Sequence, residues 1–158
     1  MTIQVGDRIP EATLRRMGEK GPEEFSTSDY FSGRRVVLFA VPGAFTPTCS
    51  ARHLPGFIAQ REAIHAEGID VIACMSVNDA FVMHAWGQSA NADGIEMLAD
   101  GNAEFSEALG LEADSRAWGM GLRSQRFALV VDDGMVTHAF IEGPGEFRVS
   151  SAESVLQE

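Results

Sequence analysis

An almost continuous apolar run that ends in a loop rich in proline and glycine constrains this chain more than any other feature. Residues 35–41 (RVVLFAV) predict a buried strand. The loop 42–48 (PGAFTPT) follows, and a helical pattern begins near Cys49. A thiol at such a junction lies near unpaired backbone N–H groups and the positive end of the helix dipole, which favour its thiolate form. The pattern therefore predicts a reactive sulfur between a buried strand and a helix.

The rest of the chain alternates between helical and strand patterns. The predicted elements are a helix at 49–66 with a kink near 51–55 caused by Pro55, a strand at 69–76, a helix at 79–90 capped by Asn78, a strand at 95–98, a helix at 103–109, strands at 126–132 and 134–141 joined at Asp132-Asp133-Gly134, and a last helix capped by the Ser150-x-x-Glu153 box. This order predicts a single α/β domain over residues 1–158. Its mixed sheet has parallel early strands and a final antiparallel hairpin, an order that suits a thioredoxin-like fold.

Composition excludes several classes of function. The chain of 158 residues has 12 basic and 23 acidic side chains, a formal charge of −11, and its basic residues are scattered, so nucleic acid is not an expected partner. No apolar stretch has the length of a signal peptide or a membrane span, so we expect a cytoplasmic protein with no membrane partner. The two cysteines, Cys49 and Cys74, form no C-x-x-C pair, which argues against dithiol exchange.

Three residues near Cys49 in sequence or in the predicted fold are candidates for its chemistry. The Thr46 hydroxyl either caps the helix or lies near the sulfur or a substrate oxygen, and spacing does not separate these roles. Pro42 offers apolar surface that would shield the thiol, or simply packs in the loop. Arg126 opens a predicted strand, where it either points towards Cys49 and lowers the pKa of the thiol or is solvated.

Two other residues invite less specific interpretations. His53 follows Cys49 by four residues and lies on the same helix face, which would suit a cysteine hydrolase or half a metal site. The remaining histidines form no ligand-spaced set with it and no third orienting group is evident, so we expect a packed or water-bonded His53 and no metal. Cys74 lies in a predicted buried strand and is expected to be a core residue.

The string Pro42-x-x-x-Thr46-x-x-Cys49 resembles the active-site pattern of the peroxiredoxins. The longer segment PGAFTPTCSARHLPGF resembles the atypical type II (peroxiredoxin-five) subgroup, as do CMSVNDAFV from Cys74 and the pair Arg126-Phe127. The resemblance extends from residues 5–10 to residues 150–156. It implies a thioredoxin-like fold, a thiol peroxidase that forms a sulfenic acid, no cofactor beyond an external thiol, and a homodimer whose interface lies near the active-site loop.

The resemblance also assigns the site residues. It makes Cys49 the peroxidatic nucleophile, with Thr46 orienting the peroxide, Pro42 shielding the sulfenate and Arg126 completing the site. Animal members carry a resolving cysteine near the C-terminus, but residues 147–151 (FRVSS) contain none. We therefore expect a one-cysteine cycle with glutathione, with or without glutaredoxin, as the reductant, and thioredoxin as the alternative. A redox sensor that uses the same sulfenate is the main alternative function.

Overall fold

The computed structural model describes residues 2–157, with Cys49 and Ser50 described by their backbone alone. Across these residues, no helix combines the length and the apolar character needed to cross a membrane.

A seven-stranded sheet in the order β2-β1-β5-β4-β3-β8-β9 forms the centre of the molecule, and β6 pairs with β7 in a separate small sheet. The strands of the described chain are β1 (Thr13–Gly18), β2 (Gly21–Ser26), β3 (Arg35–Val41), β4 (Val71–Ser76), β5 (Ile95–Ala99), β6 (Glu112–Asp114), β7 (Leu122–Ser124), β8 (Phe127–Asp132) and β9 (Met135–Ile141).

Helices cover both faces of the large sheet. In the described part of the chain they are α1 (Thr27–Phe31), α2 (Leu54–Ala66), α3 (Ala80–Ser89), α4 (Glu104–Ala108) and α5 (Ala152–Leu156). A π-helical turn, Cys49–His53, leads into α2, and a 3-10 turn, Arg116–Trp118, connects β6 to β7.

The central strands confirm the predicted mixed α/β sheet. Strand β3 pairs in parallel with β4, and β4 pairs in parallel with β5. Strand β8 runs antiparallel to β3 and forms the predicted hairpin with β9. Asp133 and Gly134 in the hairpin turn have positive φ angles of 49° and 80°, as a two-residue type I′ turn requires.

Both faces of β3 are buried, which explains its uninterrupted apolar sequence. Val37, Phe39 and Val41 face the core layer that contains α2, α3 and α5. The alternate residues face the opposite layer, which contains α1 and α4. A strand covered on both faces shows no alternation of polar and apolar residues, so its sequence predicts burial well.

The change of helix type at residues 49–54 lies where the sequence predicted a kink. Pro55 is the second residue of α2 and has no N–H to donate to the carbonyl four residues earlier. The π-helical turn Cys49–His53 lies immediately before α2. Such turns often interrupt α-helices at functional sites.

Two predicted helix caps are wrong by one residue. The N-cap of α3 is Asp79, whose Oδ1 accepts from the Val82 N–H at 2.8 Å. The N-cap of α5 is Ser151, whose Oγ accepts from the Ser154 N–H at 3.1 Å. Asn78 and Ser150 instead make hydrogen bonds to other segments near the active-site loop.

The hairpin β1–β2 and the helix α1 were not predicted. Only Leu14 is buried along β1, and β2 contains no buried residue, so neither strand shows the periodicity of a half-buried strand. The small sheet of β6 and β7 was missed as well, because each strand has three residues.

Strand pairing brings the ends of distant segments together at one edge of the large sheet. The carboxyl ends of the parallel strands β3, β4 and β5 meet there, as ligand sites of open α/β sheets require. Ala40 of β3 lies opposite Phe127 of β8. Arg126 therefore lies beside the end of β3, where the loop that leads to Cys49 begins.

Candidate active site

The loop after β3 is held by contacts from two other segments. The Ala44 N–H donates to Oδ1 of Asn78 at 3.0 Å, and the Ser76 hydroxyl donates to the same oxygen at 2.6 Å. Nη1 of Arg123 donates to the Pro42 carbonyl at 3.4 Å. The loop is thus tied to the end of β4 and to β7, so its shape does not depend on its own residues alone.

Close packing at Gly43 disfavours a larger residue. A Cβ at this position would lie 3.0 Å from Nη1 of Arg123 and 3.1 Å from Cγ2 of Thr46. Phe45 has a positive φ of 65°, which gives the loop a sharp turn before Thr46. Helical backbone begins at Pro47, soon after this turn.

The hydroxyl of Thr46 is oriented by its own loop. Its Oγ1 donates to the Gly43 carbonyl at 2.6 Å, and its N–H donates to the same carbonyl at 3.3 Å. Because the proton of the hydroxyl is used in this way, the lone pairs of Oγ1 are the part that an approaching donor would meet. Thr46 is therefore arranged to accept a hydrogen bond from a bound molecule.

The backbone of Cys49 begins the π-helical turn Cys49–His53. Its N–H belongs to the first turn of the helical segment that starts at Pro47, where backbone donors lack partners within the helix. The side chain of Cys49 lies outside the described part of the structure, so its role as the nucleophile stays a prediction.

Arg126 contacts His53 and lies on the β8 side of the site. Its Nη1 donates to Nδ1 of His53 at 2.9 Å, and its guanidinium carbon lies 5.7 Å from the centre of the Phe147 ring. Of the two alternatives from the sequence, a solvated Arg126 is therefore wrong, because the side chain is partly buried and makes defined contacts. Its predicted role towards peroxide is not tested by these contacts.

His53 is fully buried and neutral. Since Arg126 only donates hydrogen bonds, Nδ1 of His53 is the acceptor and Nε2 carries the proton, which it donates to the Ser150 carbonyl at 2.9 Å. Burial lowers the pKa of His53 to about 3; the Ser150 hydrogen bond acts against this shift and the charge of Arg126 adds to it. Both ring nitrogens are engaged, so His53 is not placed as the general base of a cysteine hydrolase.

Three aromatic rings surround the imidazole of His53. The ring centres of Phe39, Phe57 and Phe147 lie 5.0, 5.6 and 4.9 Å from it. The prediction of a packed His53 agrees with this environment, but its hydrogen bond to Arg126 was not predicted. The only available signal was the position of His53 on the Cys49 face of the helix.

A cleft of about 550 Å³ opens beside this group. Pro42, Thr48 and Arg126 line one part of it, and the rest is lined by residues 112–115, 118, 124–125 and 142–146. The structure thus brings the predicted residues Pro42 and Arg126 to one cleft, next to the helical turn that begins at Cys49. Thr46 is connected to the same loop through the Gly43 carbonyl.

Cys74 is not part of this site. It is fully buried in β4, forms no disulfide, and belongs to the core layer on the α2 side of the sheet. The prediction of a core cysteine agrees with this position. Among the described residues, no group of three or more His, Cys, Asp and Glu side chains is placed to hold a metal ion.

Comparison with known proteins links this geometry to a family. The Redoxin family model matches residues 4–156. The chain is 50% identical over 163 residues to Peroxiredoxin-2E-2, chloroplastic, of Oryza sativa subsp. japonica, covering 99% of this chain and 72% of the relative. It is 46% identical to Peroxiredoxin-2B of Arabidopsis thaliana, covering 98% and 97% of the two chains.

Solved structures agree with the fold over nearly its whole length. Reduced Prx3 from Vibrio vulnificus, crystallised in complex with hydrogen peroxide, is 51% identical with a TM-score of 0.96, covering 99% and 98% of the two chains. Peroxiredoxin 5 from Alvinella pompejana is 36% identical with a TM-score of 0.87, covering 98% and 96%. These matches confirm the thioredoxin-like arrangement predicted from the order of the elements.

Proposed function

The chain belongs to the Redoxin family as a peroxiredoxin, a thiol peroxidase with an antioxidant role, and on this premise we propose that it reduces hydrogen peroxide and organic hydroperoxides through a sulfenic acid on Cys49. One observation carries the proposal. Pro42 and Arg126, which are 84 residues apart, line one cleft beside the helical turn that starts at Cys49.

The first step is an in-line attack by the Cys49 thiolate on the nearer peroxide oxygen. The S–O bond forms as the O–O bond breaks, and the departing oxygen takes a proton to leave as water or an alcohol. The sulfur is oxidised to a sulfenic acid and the peroxide is reduced. Negative charge moves from sulfur to the departing oxygen, so preplaced donors accelerate the step when they face that oxygen.

The site residues divide this work. Arg126 supplies a positive charge and N–H donors to the peroxide oxygens. Its neighbour His53 is neutral, so it does not repel the guanidinium. Oγ1 of Thr46 accepts the hydrogen bond of the peroxide O–H, since its own proton is directed to Gly43. Pro42 excludes water from the sulfur side of the cleft.

An external thiol completes the cycle, and glutathione, with or without glutaredoxin, is the favoured reductant. The first thiol condenses with the sulfenic acid to give a mixed disulfide and water, and a second thiol releases the Cys49 thiol and a disulfide. The burial of Cys74 supports a cycle without a resolving cysteine in the same chain. Thioredoxin is the alternative reductant.

A homodimer is part of the proposal. Phe45, Phe81 and Trp118 are large apolar side chains with 54%, 63% and 81% of their surface exposed. Phe45 follows β3 and Phe81 lies in the first turn of the helix after β4, so both lie at the sheet edge that carries the site. Exposed large apolar side chains at this sheet edge favour a protein interface. The cytoplasmic location remains a prediction from the sequence.

The decisive experiment measures peroxide consumption with glutathione, glutathione plus glutaredoxin, and thioredoxin supplied separately. We expect sustained turnover with glutathione or glutaredoxin, no turnover in Cys49→Ser, and near wild-type turnover in Cys74→Ser. Loss of glutathione-dependent activity in Cys74→Ser, with Cys49 intact, would refute the one-cysteine cycle. Stoichiometric oxidation without turnover in all three systems would favour a redox sensor instead of an enzyme.

A further inference from the structure

A buried carboxylate holds the loop that follows β9. Glu142 is the first residue after β9 and only 6% of its surface is exposed. Its Oε2 accepts from the backbone N–H groups of Arg148, Val149 and Ser150, each at 2.8 Å, and from the Ser150 hydroxyl at 2.7 Å. Four donors on one oxygen fix the end of this loop to the end of the strand.

Two hydrogen bonds connect this loop to Arg126 in the active site. The carbonyl of Ser150, which is fully buried, accepts from Nε2 of His53 at 2.9 Å. Nδ1 of His53 then accepts from Nη1 of Arg126 at 2.9 Å. A second connection runs through the backbone, where the Glu142 N–H donates to the Arg126 carbonyl at 3.0 Å.

The donor and the acceptor of each hydrogen bond between Arg126, His53 and Ser150 can be assigned. The guanidinium of Arg126 contains only hydrogen-bond donors, so Nδ1 of His53 must be unprotonated and Nε2 must carry the proton. That proton needs an acceptor, and the Ser150 carbonyl is in place only while residues 148–150 keep their bonds to Glu142. If the loop shifted, His53 would lose the bond to Ser150 that keeps its ring oriented, and the hydrogen bond from Arg126 to Nδ1 of His53 would be disturbed.

Phe147 gives the same loop a second contact with Arg126. Its ring lies 5.7 Å from the guanidinium carbon of Arg126 and 4.7 Å from that of Arg52. The ring also packs on His53. Movement of the loop would therefore change both the hydrogen bond and the aromatic surface that orient the guanidinium.

The carboxylate is ionised at neutral pH. Burial alone would raise the pKa of Glu142, but the hydrogen bonds from the Ser150 hydroxyl and the three backbone N–H groups outweigh it and hold the pKa below its usual range. An ionised acceptor makes stronger hydrogen bonds than a neutral one, so the charge matters for the rigidity of the loop.

We propose that Glu142 is a positioning residue of the peroxidase reaction, which orients the peroxide-binding guanidinium of Arg126 through Ser150 and His53. The inference rests on the proposed function, because it assigns a residue to the same site. Glu142 also lines the cleft, so the experiment must distinguish an action through Arg126 from a direct contact with peroxide.

The test compares Glu142→Gln and Glu142→Ala with the wild type in a single oxidation of Cys49 by hydrogen peroxide without reductant. Glu153→Gln, an exposed carboxylate on α5, removes the same charge and serves as the matched control. Misplacement of a catalytic group by about 1 Å can cost about a hundredfold in rate, so we expect a loss of about tenfold in Glu142→Gln and more in Glu142→Ala. Glu153→Gln should react like the wild type.

Alkylation of Cys49 by iodoacetamide, at a pH where the thiol is fully ionised, separates a general structural defect from a defect specific to the peroxide reaction. A general defect would slow both reactions. Alkylation needs an accessible thiolate but no donor for a departing peroxide oxygen. We expect its rate to stay near the wild-type value in Glu142→Gln while the peroxide rate falls. A parallel fall of both rates would overturn the proposal, because it would indicate general damage to the site.

A double-mutant cycle tests whether Glu142 acts through Arg126. In an Arg126→Gln background, Glu142→Gln should cause little further loss of peroxide rate, whereas a full additional loss would overturn the proposal. If Glu142→Ala does not fold, Ser150→Ala still removes one of the four bonds and should lower the peroxide rate slightly. Wild-type protein that does not react with peroxide would refute the proposed function itself, whereas a reactive Glu142→Gln refutes only this inference.

Discussion

At the scale of single residues, the neutral state of His53 allows its Nδ1 to accept the hydrogen bond from Arg126. A protonated imidazole would have no lone pair for the guanidinium and would repel its charge. Burial between aromatic rings keeps His53 neutral, so the Arg126 bond is retained through the physiological pH range. This arrangement stabilises the site at neutral pH and makes the fold sensitive to acid.

We expect the free energy of unfolding to fall as pH drops from about 6.5 to 5, because the unfolded chain binds a proton at His53 that the folded chain excludes until about pH 3. The largest slope from one such group is about 1.4 kcal/mol per pH unit. Urea unfolding measured across this range should show a smaller slope for His53→Gln. The exposed His84→Gln should keep the wild-type slope, and an unchanged slope in His53→Gln would contradict the assignment.

Thr46 offers a second prediction at this scale. Thr46→Val removes the hydroxyl that we propose accepts a hydrogen bond from the peroxide, and a lost hydrogen bond of about 1.5–3 kcal/mol corresponds to a rate lower by about tenfold to a hundredfold. Thr46→Ser keeps the hydroxyl and should retain most of the activity. The rate of Cys49 oxidation by peroxide measures both variants, and equal rates in the two would exclude a role for the hydroxyl.

At the scale of elements, Asn78 connects the end of β4 to the active-site loop. The sequence predicted a helix cap at this position, because an asparagine before a helical pattern commonly has that role. The neighbouring Asp79 is the cap, which leaves the Asn78 side chain to accept from Ala44 and Ser76. One-residue uncertainty in a helix boundary therefore hid a residue that holds the loop.

Asn78→Ala should lower both stability and peroxide reactivity. It leaves the buried Ser76 hydroxyl and the Ala44 N–H without their acceptor, at a cost of about 1–3 kcal/mol for an unsatisfied buried group. Asn78→Asp keeps an acceptor oxygen and should lose less. Thermal unfolding and Cys49 oxidation rates measure the two effects. Full peroxide reactivity in a destabilised Asn78→Ala would show that the loop keeps its shape without this contact.

At the scale of the whole molecule, the sequence predicts local features better than their pairing. The motif from Pro42 to Cys49 and the uniformly apolar β3 are local signals, so the loop and the central strand were predictable. Arg126 was predicted at a strand end, but its position beside Pro42 depends on the register between Ala40 and Phe127. The links from Glu142 to Ser150, from Ser150 to His53 and from His53 to Arg126 join residues 8, 97 and 73 positions apart, and no periodicity encodes such contacts.

The last prediction concerns the homodimer, whose proposed interface contains Phe81. This side chain is 63% exposed in the first turn of α3, and Phe81→Asp places a negative charge near a helix N-terminus, where it does not disturb folding. In a twofold symmetric dimer the substitution acts twice, and each buried phenylalanine contributes about 1.5–3 kcal/mol, so the dissociation constant should rise at least about a hundredfold.

Sedimentation velocity over a range of concentrations measures this change. Val5→Asp is the matched control, because Val5 is 62% exposed and lies away from the active-site edge. The neighbouring Gly6 N–H donates to the Val136 carbonyl, at the end of the sheet where β9 begins. The wild type and Val5→Asp should sediment as dimers at concentrations where Phe81→Asp is a monomer. A Phe81→Asp protein that remains dimeric would place the interface away from the active-site edge, since a charge cannot be buried there without a partner.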